Sequence, residues 1–180
     1  MTQTREEWLL KAAEVLNGRL LHEELPLLKV SVGWPKGVRS GHALGQCWSK
    51  KASQDGDSYH IFVSPVIQDT VEVLRVLLHE LIHAAAGTEA GHKGTFAKMA
   101  KRVGFEQPWT STPATLGLLE VLKELVKELG SFPHPGLNPP MKKQTTRMKL
   151  WVCACGVKIR RAGDLHAKCL DCNSEFEREE

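Results

Sequence analysis

The chain has few aromatic residues and a single tyrosine, Tyr59, and it lacks any long apolar run. About 18 uninterrupted apolar residues are needed to cross a bilayer, so no transmembrane segment is expected. The opening stretch carries Glu6 and Glu7 and no apolar core of the kind a secretory leader needs. A cytoplasmic location without membrane contact is the expectation. Its 15 Gly and 9 Pro are scattered without period, which excludes a collagen-like fibre. Only Cys47 precedes Cys153, so no disulfide framework holds the first part of the chain. There is no internal repeat. What remains is ordinary for a soluble globular chain: 180 residues, 42% hydrophobic and 25% charged, enough for one compact domain plus a small appendage.

Charge is unevenly placed. Residues 1–129 hold 15 basic and 15 acidic side chains. Residues 142–168 hold eight bases against one acid, Asp164, and the last ten residues hold five acids against Arg178. A neutral body with one short basic segment suggests a polyanionic partner for that segment. Its candidate contacts are Lys142, Lys143, Arg147, Lys149, Lys158, Arg160 and Arg161.

Periodicity gives an α+β body: a helix, a small three-stranded sheet, then further helices. Thr4 and Glu7 form a capping-box signature, and Trp8, Leu9, Ala12 and Leu16 continue it as a helix over 5–17. Strands are expected at 28–34, 43–49 and 58–64, with Cys47 a small buried residue in the second. Helices are expected over 69–86 and 95–103. A further helix is expected to be capped by Thr112, with Pro113 at its first position, and closed by Gly130. The Pro-rich basic stretch 131–148 reads as a linker between a body at 1–130 and a unit at 149–180.

The helix at 69–86 contains His79-Glu80-Leu81-Ile82-His83. By composition an H-E-x-x-H string is expected by chance roughly 0.03 times in this chain. At 100° per residue, His83 falls about 40° and Glu80 about 100° from His79, while the large aliphatics gather on the opposite side. Two imidazoles one turn apart can converge on one ion. Glu80 beside them can take a proton from water. Catalytic zinc needs a third ligand and an open position. His92 in a Gly-flanked turn, Glu89 and Glu106 are the candidates, with His92 favoured by imidazole's affinity for zinc and the turn's freedom. Tyr59 and His60 are candidate oxyanion donors, and 58–64 a candidate edge strand for an extended substrate.

Cys153-x-Cys155 and Cys169-x-x-Cys172 form two close pairs thirteen residues apart. Four thiolates so spaced fit a closed tetrahedral zinc site, in a zinc ribbon too small to fold without its metal. Trp151 can stack on a base or pack on the metal knuckle.

The stretch HELIHAAAGTEAGHKGTF, the linker and the CxC…CxxC ribbon together resemble the SprT-like, or Spartan-type, family. That resemblance implies a zinc metalloprotease body and a zinc ribbon. His79, His83 and His92 would be the metal ligands, Glu80 the general base, and the four cysteines the ribbon ligands. Two zinc ions follow, one catalytic and one structural. The Spartan branch cleaves proteins covalently trapped on DNA, so a protein substrate, a DNA partner and a part in DNA–protein crosslink repair are implied. Two other readings are a nucleic-acid-binding accessory factor with a non-catalytic zinc site, and a general peptidase without nucleic acid.

Overall fold

A computed structural model describes residues 3–23, 25–35, 43–138 and 148–179. They divide into two compact units, Met1–Pro139 and Pro140–Glu180. The first contains α1 (Arg5–Leu16), β1 (Leu28–Val32), β2 (Gly45–Trp48), β3 (Tyr59–Val63), α2 (Thr70–Ala86), α3 (Thr95–Val103) and α4 (Leu116–Leu129). The second contains β4 (Lys149–Val152), β5 (Lys158–Arg161) and β6 (Glu177–Glu179). This is the α+β body expected, with a small Cys-bearing sheet after it.

The capping box at Thr4 forms as read, with Glu7 N–H donating to the Thr4 hydroxyl and Thr4 N–H to the Glu7 carboxylate. The helix does not stop at Asn17 but continues through a wider turn to Leu21, and His22 closes it with φ 53°. α2 is the central element. Asp69 caps it by accepting from Glu72 N–H, and Leu74, Leu77, Leu78, Leu81 and Ile82 are sealed in the core. α2 packs against β2, β3 and the other three helices, so side chains projected from it are held from several directions.

The body sheet has the order β1-β3-β2, with β1 and β3 parallel and β2 and β3 antiparallel. The strand expected at the edge, 58–64, is therefore the central one. It pairs with β1 on one side and β2 on the other, so β2 stands at the sheet's edge.

α4 also starts later than expected. Thr115, not Thr112, is its N-cap, accepting from Leu118 N–H. Pro113 lies outside the helix, where its carbonyl accepts from Glu106 N–H. Both threonines carry a capping signature, and tertiary contacts decide between them. Part of the Pro-rich stretch read as linker also docks on the body. Phe132 packs edge-on to Trp8 at 5.1 Å, its N–H donates to Thr70, and Leu137 N–H donates to the Pro65 carbonyl at 2.7 Å.

Candidate metal centre and its cleft

α2 ends at Gly87, and a short turn, Thr88–Ala90, reverses the chain. Gly91 and Gly94 then take φ of 53° with strongly negative ψ, a backbone region essentially restricted to glycine. Between them His92 is carried back to α2. The Nε2 atoms of His79, His83 and His92 lie 3.2, 3.1 and 3.2 Å apart, as a nearly equilateral triangle. Nitrogens about 2.0–2.1 Å from a tetrahedral ion stand about 3.3 Å apart, so the triangle fits a three-legged grip open on its fourth side. Glu89 and Glu106 do not join it. Glu89 pairs with Lys51 at 3.0 Å, and Glu106 is exposed.

Phe96 of α3 is fully buried against all three imidazoles, with ring centroids 5.0, 4.3 and 5.0 Å from His79, His83 and His92. Burial keeps the rings neutral, as metal ligation requires. Burial, then repulsion from any charge on His83, His92 and Arg75, brings His79 down to about 3. Burial and His92 bring His83 to about 4, and burial lowers His92.

Glu80 is 5% exposed, and burial pushes its carboxyl up to about 8. It lies against Gly45 of β2. A Cβ at Gly45 would come within 2.5 Å of Glu80 Oε1 and 2.7 Å of Val76, so only glycine leaves room for the carboxyl here. The beginning of β2 thus walls a cleft of about 430 Å³. Its floor is the 75–83 face of α2 and its far wall is Thr110, Ser111 and Thr112. Cys47 faces this cleft half-buried, and burial, then the Glu80 charge, push its thiol up to about 12. Tyr59 and His60 are not among the residues lining it. His60 is on the sheet's other side, with Nε2 3.0 Å from Ser53 Oγ. Arg75 and Thr112 also line the cleft; Arg75 carried no motif that would have singled it out, and Thr112 was read only as a helix cap.

In the second unit, the Sγ atoms of Cys153, Cys155, Cys169 and Cys172 all lie within 4.8 Å of one another. Two tight turns bring them together. In one, Gly156 N–H donates to Cys153 O and Cys153 N–H to Val157 O; in the other, Asn173 N–H donates to Cys169 O and Cys169 N–H to Ser174 O. Gly156 and Asn173 take left-handed φ of 88° and 57°. The first turn holds its pair with one spacer residue and the second with two. Ser174 hydroxyl and N–H contacts lower the Cys172 thiol, while hydrogen bonds with Cys153 and Cys172 raise that of Cys155. Trp151 packs with Cys153, Cys169 and Phe176, and its indole N–H has no partner among the described residues.

The basic residues of this unit separate by face. Strand alternation puts Lys158 and Arg160 beside Glu177 and Glu179, with Lys158 3.7 Å from Glu179. Lys149, Arg161 and Arg178 share the Trp151 face, where Lys149 pairs with Asp164. Lys142, Lys143 and Arg147 lie outside the described residues.

A helix-borne pair of histidines, a third returned by a glycine turn and a buried glutamate beside β2 form a candidate metal centre of the metalloprotease type. The model of the SprT-like family matches residues 7–116, and the chain belongs to that family. No curated protein and no solved structure matches the chain. Among the described residues, no helix is long and apolar enough to cross a membrane.

Proposed function

We propose that this protein is a zinc-dependent endopeptidase acting on proteins associated with, or crosslinked to, DNA. The observation that carries the catalytic part is the triangle of Nε2 atoms, open on one side, with Glu80 buried next to it. Zinc bound there would act as a Lewis acid, lowering the pKa of water and polarising a carbonyl. Glu80, as the carboxylate, takes a proton from the attacking water and returns it to the leaving amine, and its burial raises its affinity for that proton. β2, at the sheet's edge and along the cleft, supports binding of an extended peptide as an added strand. The four-cysteine site would take a second, structural zinc.

Nucleic-acid contact is assigned to the basic segment. Within the ribbon, the sorting of charges favours the Trp151 face, because acids on β6 accompany Lys158 and Arg160 on the other. Cytoplasmic action fits this reading.

The test is Glu80→Gln in the full chain, assayed on a DNA-bound protein. Zinc content should persist while cleavage falls by about 10²–10⁴. Undiminished cleavage removes Glu80 from the mechanism. Absence of cleavage by the parent protein, with or without chelator, favours the accessory-factor reading. Cleavage without salt-dependent DNA binding favours a general peptidase.

A further inference from the structure

The loop forming the far wall of the cleft is tied to α2 through one side chain. Arg75, one turn before His79, donates through Nη1 to the carbonyls of Ser111 at 2.6 Å and Thr112 at 3.0 Å. Through Nε and Nη2 it grips Glu72 at 2.7 and 2.5 Å. Two successive loop carbonyls are thus fastened to the helix that carries the histidines. The backbone bends sharply at this point, with Thr112 at φ 42°, a left-handed conformation that β-branched residues rarely adopt. The bend turns the Thr112 side chain inward. It is 1% exposed, and its Oγ1 lies 2.9 Å from His79 Nδ1.

A neutral imidazole carries its proton on one nitrogen and a lone pair on the other. His79 Nε2 faces the other two Nε2 atoms, so its lone pair is needed there and the proton belongs on Nδ1. Thr112 Oγ1 is placed to accept that proton's hydrogen bond. This contact joins residues 33 positions apart in sequence.

We propose that Thr112 is a positioning residue of the metal centre, fixing the tautomer and ring orientation of His79 by accepting its Nδ1–H, and that the Arg75 clamp holds Thr112 there. This rests on the reading of His79 as a metal ligand. The hydroxyl adds no charge, so it orients the ring without altering the net charge of the site.

The experiment uses the full chain with ¹⁵N-labelled histidine. Multiple-bond ¹H–¹⁵N spectra of the metal-free protein report the His79 tautomer directly. The parent protein and Thr112→Ser should show Nδ1–H. Thr112→Val, which keeps the shape and loses the hydroxyl, should show the Nε2–H form or a mixture. Zinc titrated into the same samples, followed at the His79 and His92 ring signals, should bind about 10–100-fold more weakly in Thr112→Val, with Thr112→Ser close to the parent. Arg75→Gln should move both readouts in the same direction by less. A parent His79 found as Nε2–H overturns the proposal, even if Thr112→Val fails to fold. Unchanged tautomer and affinity in Thr112→Val overturn it too, and an inert Arg75→Gln overturns the clamp. Failure of the parent protein to take up zinc at these rings counts instead against the metal reading, and the tautomer still tests the Thr112 contact.

Discussion

In the body, two of the three candidate ligands stand on a helix whose Leu74, Leu77, Leu78, Leu81 and Ile82 are sealed from water, and Phe96 backs all three imidazoles. In the C-terminal unit, the buried residues among those described are Trp151, Phe176 and two of the candidate ligands themselves, Cys153 and Cys169, while Leu170 between the second pair is fully exposed. The body thus builds a core first and hangs a site on it. The ribbon has almost no core apart from its site. Metal should therefore be a cofactor in the body and a folding element in the ribbon.

The sharpest way to break that contrast is to remove a ribbon ligand. Cys169→Ser should unfold residues 149–179, since structural zinc in small domains supplies roughly 10 kcal/mol. Body resonances should stay dispersed, and a collapse of both units together in NMR spectra would show that the contrast is false. The next largest effect belongs to the body's core. Leu77→Ala, at a site with no exposure, should cost the body about 2–5 kcal/mol in a denaturant titration. Leu170→Ala in the ribbon should change stability by less than about 0.5 kcal/mol. Equal effects would mean that the two leucines occupy similar surroundings.

A more gradual effect separates the sites by pH. His79 and His83 have folded pKa values of about 3 and 4, below the ordinary 6.5. Below pH 6.5 the unfolded chain therefore binds protons that the metal-free fold does not, and stability present above 6.5 drains away as pH falls toward 4. Between pH 7 and 5.5 the loss should be about 2 kcal/mol for the two rings together. Melting of the metal-free body across this range checks it, and a flat profile would mean that the rings are freely hydrated.

Much of the site was legible because its signals are local. Two histidines and a glutamate within five residues need only helical geometry to meet. Paired cysteines need only a tight turn. The choice of His92 over Glu89 and Glu106 was also readable, since Gly91 and Gly94 announce a chain reversal. The misreadings share a different cause. Thr112-Pro113 has the chemistry of a helix start, yet the Arg75 clamp and His79 claim the threonine, and Thr115 caps α4 instead. The run at 58–64 looks like any short strand, and nothing in it tells centre from edge.

By itself, then, the sequence determined the helix-borne motif, the cysteine pairs and the alternation of neutral body and basic tail segment, because each is written in residues a few positions apart. Tertiary structure decided the rest. It made β2 the strand along the cleft, set Gly45 against Glu80, turned Thr112 onto His79 and divided the ribbon's charges between two faces. These depend on contacts between segments distant in the chain, and such contacts leave no period or spacing for a sequence to display.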